Sequence, residues 1–217
     1  MATLAATSLS SVVSATGAGA SFGQTAALDV GQLRFYSTGS LLNASGEPLT
    51  DSSKVLVWAE STAYNADEDG NDDAVSYPDG TDIPLVAIDG TVVGVGNDFV
   101  NNQESFGDAG NEEFLLNVWD DLTGGDATVL VDEGHDNAVT RADISTFAGY
   151  AEENGYTVNA TTNLGADLGN ADGLVLARPA TALTDSELSA VASFVDAGGA
   201  LFLHDASDFQ DEDRTAN

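Results

Sequence analysis

Ala127-Thr-Val-Leu-Val-Asp-Glu-Gly-His-Asp136 is the segment around which the predicted fold is organised. Its apolar run, Val129 to Val131, breaks abruptly into acids, a glycine and a histidine, as a buried parallel strand does where its carboxyl end opens onto a site. In open α/β sheets, ligands bind outside the carboxyl ends of the strands. The stretch therefore predicts where a site should lie more clearly than it predicts a reaction.

Alternating strand and helix patterns follow this strand along the rest of the chain. Helices are predicted over 140–153 and 183–197, and strands over 156–158, 172–177 and 200–204. Thr184, followed by Glu187 three residues later, predicts a capping box at the start of the second helix. Alternation at this spacing indicates parallel βαβ units, so we predict a parallel α/β sheet flanked by helices over 127–217.

The preceding region, residues 28–125, has a β-rich pattern with one helix. Strands are predicted at 33–36 and 54–59, and a hairpin from the apolar runs 83–88 and 91–95. Asp89-Gly90 between those two runs is a strong hairpin signal. Asn111 is predicted to cap a helix that carries Trp119 on its apolar face and ends at Gly124-Gly125.

The charge of the chain is extreme, with 36 acidic against 5 basic residues and a net charge of −31. An acidic surface of this kind repels itself in dilute buffer, but at about 1 M salt the Debye length is only about 3 Å. The composition indicates a protein of a high-salt organism, of the haloarchaeal kind; the alternative is an acidic protein of a moderate-salt organism. Five scattered bases cannot form the basic face that a nucleic-acid duplex requires, so we expect no direct nucleic-acid contact.

The chain contains no cysteine, which excludes disulfides, thiolate metal sites and cysteine nucleophiles. Residues 1–25 are rich in Ala, Ser, Thr and Gly, and Ala18-Gly-Ala20 fits a signal-peptide cleavage site. We interpret this segment as the remnant of a signal peptide, the alternative being a flexible lead-in, and expect a secreted or cell-surface protein. No apolar run approaches the length of about 18 residues that a membrane-spanning helix needs.

An acidic loop follows the second predicted strand. Its possible oxygen ligands, spaced as in the DxDxDGxxD calcium repeats of secreted proteins, are Asn65, Asp67, Asp69 and Asp73, with Gly70 at the turn. Hard cations such as Ca²⁺ prefer oxygen ligands in this arrangement. As an EF-hand loop the segment fails, because its twelfth position holds Ser76 and not a bidentate Glu. The loop is either a calcium site or a solvated acidic turn.

Several stretches together resemble a known family. They are the strand that ends in Asp-Glu-Gly-His135, then Ala171-Asp-Gly-Leu-Val-Leu-Ala177, Leu183-Thr-Asp-Ser-Glu-Leu188 and Phe194-Val-Asp-Ala-Gly-Gly-Ala-Leu-Phe-Leu203. The pattern resembles the glutamine-amidotransferase-like (class I GATase-like) domains, in particular the uncharacterised branch called DUF4350, which haloarchaeal secreted proteins carry. The resemblance implies a flavodoxin-like fold.

Residues 91–122 resemble the closing strand and helix of the same domain type. The N-terminal region then either supplies strands to one sheet or is the end of a preceding copy. A further helix is expected after the last strand, so we expect the chain to be a fragment, truncated at its C-terminus, of a polypeptide with further domains.

The departure from the family pattern concerns its catalytic residue. Class I amidotransferases use a cysteine at a sharp turn between a strand and a helix, and this chain has none, so thiolate chemistry is excluded. A serine replacement would need a G-x-S-x-G-like elbow, but the turn after the third strand reads Ala177-Arg178-Pro179.

The remaining candidate site residues follow the strands that we expect to share one edge. They are Asp132, Glu133, His135, Arg178, His204, Asp205 and Asp208. Two histidines with carboxylates could bind Zn²⁺ or another divalent ion, and a His–carboxylate pair could act as a general base. Alternatively the histidines only satisfy backbone groups at strand ends. Arg178 is expected to pair with local acids, with anion or ligand binding, together with Asp132, as the alternative.

The first functional hypothesis is a non-catalytic, amidotransferase-like binding or accessory module of a secreted halophilic protein, with a ligand or protein partner that the sequence does not identify. The alternative is a metal-dependent hydrolase, or an accessory domain of a secreted nuclease, that uses the cluster of His135 and His204. The second alternative is a surface or assembly protein that binds Ca²⁺ through its acidic loop.

Overall fold

The structure, a computed structural model, describes residues 13–15, 30, 32–36, 38–66, 75–78, 81–98, 100–102, 107 and 109–205. The strands are β1 (Val13–Ala15), β2 (Leu33–Phe35), β3 (Val55–Trp58), β4 (Pro84–Asp89), β5 (Val92–Val95), β6 (Thr128–Asp132), β7 (Thr157–Thr161), β8 (Gly173–Ala177) and β9 (Ala200–His204). The helices are α1 (Asn111–Thr123), α2 (Ser145–Glu153), α3 (Leu164–Asp167) and α4 (Asp185–Asp196), and a 3-10 turn (Leu168–Asn170) follows α3.

Seven strands form one sheet in the order β3-β4-β5-β9-β8-β6-β7, while β1 and β2 form a separate antiparallel pair. Five neighbouring strands of this sheet are mutually parallel, in the order β5, β9, β8, β6 and β7. If β6 is counted as strand 1, then β7, β6, β8 and β9 lie in the flavodoxin-like order 2-1-3-4. Strand β5 lies next to β9, in the position of strand 5. The predicted parallel, flavodoxin-like sheet with helices and an N-terminal hairpin is confirmed. The parallel pairing of β5 with β9 joins the strands upstream of residue 125 to the same sheet as those downstream.

Two hydrophobic layers cover the two faces of this sheet. On one face, α1 and α2 enclose the aromatic side chains of Trp119, Phe147 and Phe202, which are all fully buried. On the other face, α3 and α4 cover a smaller cluster that includes Leu164, Leu174 and Phe194. Apolar residues of the central strands serve both layers, which explains why β8 reads as an unbroken apolar run.

The hairpin turns one residue later than the Asp-Gly pair suggests. Asp89 pairs with Val92, so Gly90 and Thr91 form the two-residue loop. Gly90 has a φ of +62°, a conformation that a side chain disfavours.

Asn111 was predicted as the cap of α1, and that prediction is wrong. Gly110 occupies the cap position, and Asn111 is the buried first residue of the helix. Its side chain accepts a hydrogen bond from the backbone N–H of Arg34 (2.9 Å) and donates one to the carbonyl of Arg34 (2.7 Å). The amide therefore joins α1 to β2 in place of capping its own helix.

The helix predicted from Thr140 begins later, at Ser145. Thr140 donates its backbone N–H (2.9 Å) and its hydroxyl (2.7 Å) to Oδ2 of Asp143. This local bonding competes with helix formation, so residues 141–144 form turns.

In the part of the chain that the structure describes, no helix has the length and apolar character needed to cross a lipid bilayer.

Candidate functional site

The carboxyl ends of β6 and β8 form the topological switch point of the sheet, which we call the winding point. From β6 the chain proceeds to β7 on one side, and from β8 it proceeds to β9 on the other. Ligands of open α/β sheets bind at such a point. Asp132 ends β6, Glu133 and His135 lie in the loop after it, and Arg178 follows β8.

His135 is held between two carboxylates. Its Nδ1 lies 2.8 Å from Oδ2 of Asp132, and its Nε2 lies 3.4 Å from Oε2 of Glu187. His135 is 5% exposed and Asp132 is fully buried. Both ring nitrogens therefore have partners within the protein, and we refer to Asp132, His135 and Glu187 as the histidine clamp.

The start of α4 fixes the position of Glu187. The hydroxyl of Thr184 (2.6 Å) and its backbone N–H (2.9 Å) both donate to Oε2 of Glu187, and the capping box predicted from the sequence is present. The same carboxylate oxygen faces His135. Glu187 thus has two roles, of which the capping motif signalled only the first.

Hydrogen bonds also join the loops after β6 and β8 to each other. Thr181 donates its backbone N–H to the carbonyl of His135 (2.9 Å) and its hydroxyl to Oδ2 of Asp136 (3.0 Å). Ala138 donates its N–H to the carbonyl of Arg178 (3.1 Å). The chain's own groups therefore occupy the space between the two loops at the winding point.

Glu133, one of the candidate site residues by sequence, joins neighbouring segments in the structure. Its backbone N–H donates to the carbonyl of Thr161 (2.8 Å), and its Oε1 accepts the N–H of Arg141 (2.9 Å). Glu133 thereby links the end of β6 to β7 and to the turn before α2.

His204 lies two strands away from β6, at the end of β9, and is 4% exposed. Its Nε2 is buried and has no hydrogen-bond partner among the described residues. It lines a cavity of about 10 Å³ whose walls are mostly apolar side chains of α1, α2 and the strand ends. A space of this size holds about one water molecule.

Arg178 contacts two of the residues that line that cavity, His204 and Asp98. Its φ is +48°, an uncommon conformation for a residue with a side chain, and its backbone N–H donates to the carbonyl of His204 (3.1 Å). Its guanidinium lies 3.7 Å from Oδ2 of Asp98, which also lines the cavity. Arg178 is thus paired with a local acid. Asp205 donates its N–H to the carbonyl of Val95 (2.9 Å), and Asp208 lies outside the described residues.

The surroundings shift the pKa values of the two histidines in opposite directions. Burial of His135 would lower its pKa, but the hydrogen bonds and charges of Asp132 and Glu187 outweigh it, and the pKa is raised above its ordinary 6.5. Burial lowers the pKa of His204 to about 4, although a hydrogen bond to the backbone of Asn97 opposes the shift. Bonds from Thr184, and secondarily His135, lower the pKa of Glu187 to about 2.

The predicted divalent site needs His135 and His204 to share ligands with nearby acids. His135 has its two carboxylate partners, and His204 lines the small cavity described above. Within the described ranges, no group of three or more His, Asp or Glu side chains is arranged to hold a metal ion. The described geometry therefore gives the two histidines separate environments.

For the predicted calcium loop, the structure describes one of the four oxygen ligands. The amide nitrogen of Asn65 donates to the hydroxyl of Ser40 (2.9 Å) and to the carbonyl of Val75 (2.7 Å). Asn65 thus joins residues on either side of the acidic segment. Asp67, Asp69 and Asp73 lie outside the described residues, and the calcium site stays a prediction.

The opposite pKa shifts of His135 and His204 predict that the free energy of unfolding depends on pH in two separate ranges, an acid limb and a limb above pH 6.5. The folded pKa of His204, about 4, lies below its unfolded value of 6.5, so its neutral form stabilises the fold and this contribution is lost as pH falls from 6.5 towards 4. The loss amounts to at most about 3 kcal/mol. The folded pKa of His135 is raised, so its contribution is present below pH 6.5 and is lost as pH rises through the folded pKa.

Urea unfolding at constant salt between pH 4 and pH 9 measures both limbs. We expect His204→Gln to flatten the acid limb and His135→Gln to flatten the limb above pH 6.5. Equal pH profiles for wild type and either variant would contradict the assignment of that limb.

Comparison of this sequence with models of protein families, with curated proteins and with solved structures gives no match in any of the three.

Proposed function

We propose that this chain is a non-catalytic binding or accessory module with an amidotransferase-like α/β fold, belonging to a secreted protein of a high-salt environment. The observation that carries the proposal is the histidine clamp at the winding point of the sheet. There, where a catalytic member of such a fold would bind its substrate, Asp132 and Glu187 engage both nitrogens of His135.

The chemistry of the residues at this edge supports a non-catalytic role. A histidine that acts as a general base needs a ring nitrogen within reach of a substrate proton. Both ring nitrogens of His135 face carboxylates of the protein, those of Asp132 and Glu187. A covalent mechanism of the amidotransferase type needs a cysteine thiolate, and the sequence has no cysteine. The net charge of −31 supports the proposed high-salt environment.

The competing proposal, a metal-dependent hydrolase or nuclease accessory domain, has one observation in its favour. Nε2 of His204 is buried and has no partner among the described residues, and an unprotonated imidazole nitrogen is a good ligand for divalent ions. Against it, the adjoining cavity has room for only about one water molecule.

Activity and metal content, measured together, separate the two proposals. Protein purified in molar KCl would be incubated with Zn²⁺ or Mn²⁺, desalted, analysed for metal and assayed with glutamine, an ester and a phosphodiester. We expect no retained metal and equal background rates for wild type, His135→Gln and His204→Gln. Turnover that either variant abolishes while its circular dichroism stays that of wild type would overturn the non-catalytic proposal.

A further inference from the structure

Strand β7 forms one outer edge of the seven-stranded sheet, and no strand lies beyond it among the described residues. It pairs with β6 in an unbroken parallel register over all five of its residues. At the opposite edge, β3 has four residues and pairs with β4 through shifts in register, and such irregularity makes an edge a poor template for further pairing. β7 is therefore the regular edge of this sheet, the kind of edge to which another β-strand can add.

The backbone of β7 turns alternate residues towards and away from β6. Thr157 donates its N–H to the carbonyl of the residue before β6 (2.9 Å), and the carbonyl of Thr161 accepts the N–H of the residue after β6 (2.8 Å). Because every second residue of a strand bonds to the same neighbour, Val158 and Ala160 direct their N–H and C=O groups away from β6. These outward groups are the ones that an added strand would bond to.

The side chain of Arg141 occupies one of these outward positions. Its Nε donates to the carbonyl of Val158 (2.6 Å), and its Nη2 lies 2.6 Å from Oε1 of Glu152 on α2. The backbone N–H of Arg141 is itself fixed, since it donates to Oε1 of Glu133 (2.9 Å). An approaching strand would therefore have to displace an anchored guanidinium from the carbonyl of Val158.

The ion pair of Arg141 and Glu152 is partly open to solvent, with side chains that are 32% and 44% exposed. A pair as exposed as this contributes little to stability, typically below about 1 kcal/mol. Stabilisation is thus a weak reason for one of only five basic residues in the chain to lie here. A charged side chain on the edge of a sheet is, by contrast, a common protection against the addition of a strand.

We propose that Arg141 closes the β7 edge to strand addition, and that the strand it excludes is β7 of a second copy of this chain. The outward groups are self-complementary. In an antiparallel pair centred on Asn159, Val158 of one copy lies opposite Ala160 of the other, and the two residues exchange both N–H···O bonds. Such a pair has two-fold symmetry, so it closes as a dimer and does not continue into a fibre.

The charge of the chain determines the conditions under which this protection matters. A net charge of −31 on each copy opposes the contact in dilute buffer. At about 1 M salt the Debye length is only about 3 Å, so charge repulsion no longer separates the copies and the edge depends on Arg141. The inference concerns the sheet edge alone and does not depend on the proposed function.

Size-exclusion chromatography with light scattering, on the full chain in molar KCl, tests the proposal. We expect wild type to be a monomer and Arg141→Met, which removes the guanidinium and keeps a long side chain, to form a dimer with a dissociation constant in the micromolar to millimolar range. Lys54→Met removes the same charge from an exposed ion pair with Asp89 and should stay a monomer. A dimer of Lys54→Met, or a monomeric Arg141→Met with the circular dichroism of wild type, would overturn the proposal.

A second substitution locates the contact. Ala160→Pro removes the outward N–H at position 160 and leaves the bonds between β7 and β6 in place, because proline is tolerated on the outer side of an edge strand. Combined with Arg141→Met, it should restore the monomer. In the dimer of Arg141→Met alone, we expect slower hydrogen exchange at the amides of Val158 and Ala160. A dimer that persists with Ala160→Pro would show that the contact lies elsewhere and would overturn the proposal.

Glu152→Gln is the milder variant, for the case in which Arg141→Met does not fold. Glu152 is exposed, and its replacement removes the charge that anchors the guanidinium without changing a buried side chain. We expect this variant to form a weaker dimer than Arg141→Met, visible as the protein concentration rises. A monomer at every concentration in molar KCl would count against the role of Arg141.

Discussion

Replacement of Trp119 by alanine is expected to lower the free energy of unfolding by about 3–5 kcal/mol. Trp119 is fully buried in the layer between α1 and the sheet. Its ring lies 5.0 Å from that of Phe147, and 5.6 Å from those of Tyr156 and Phe202, between ring centroids. The alanine variant would lose this packing and leave a cavity that α1, α2 and β9 cannot close without moving.

Trp119→Phe is the matched control. In the described part of the molecule, Nε1 of Trp119 is buried without a hydrogen-bond partner, so its removal also removes an unsatisfied donor. Phenylalanine keeps an aromatic ring in this layer and leaves a smaller cavity than alanine, so we expect this variant to cost about 1–2 kcal/mol. Urea unfolding measures both variants, and a loss for Trp119→Ala as small as that expected for Trp119→Phe would contradict the packing described for this ring.

Replacement of Gly96 by alanine is expected to cost about 3 kcal/mol, at the upper end for an overpacked site. Gly96 follows β5, and the segment at Gly39 crosses directly over it. Gly39 donates its N–H to the carbonyl of Gly96 (2.6 Å), and the hydroxyl of Thr38 donates to the same carbonyl (2.8 Å). A Cβ atom at position 96 would overlap the carbonyl oxygen of Gly39. Because that atom belongs to the backbone, the segment must move and these bonds are lost.

Gly149→Ala controls for the loss of a glycine. Gly149 lies within α2, and a Cβ atom there meets nothing within 4 Å. Because alanine favours helix formation over glycine, we expect a gain of up to about 1 kcal/mol in the same unfolding experiment. A loss at position 149, or an unchanged stability for Gly96→Ala, would contradict the packing described at these two glycines.

Local sequence signals predicted those elements that local chemistry decides. The capping box of Thr184 and Glu187, the glycines after α1 and the apolar run before Asp132 each gave an element of the correct type. The hairpin at Gly90 followed from the Asp-Gly pair between two apolar runs. In these cases the residues that form the structure are neighbours in sequence.

Features that depend on contacts between distant segments were not predictable in this way. The resemblance of residues 91–122 left open whether this strand joins the same sheet, and no local signal near Val95 indicates that β5 pairs in parallel with β9. Helix α3, with four residues, is too short for a periodic pattern. The sequence placed His135 correctly at the end of β6, but its partner Glu187 lies 52 positions later (187 − 135) and carries only a capping signal. The histidine clamp exists because the fold brings the start of α4 to the loop after β6.

We infer that His135 is a structural residue held by Asp132 and Glu187, while His204 is buried and neutral. Because the chain has two histidines, an NMR titration of their ring protons, assigned with His135→Gln, tests this claim directly. We predict that His135 titrates above 6.5, with Glu187→Gln moving its pKa down, and that His204 stays neutral until the pH approaches about 4. Titration of both rings near 6.5, or loss of both signals together on addition of Zn²⁺, would contradict the claim.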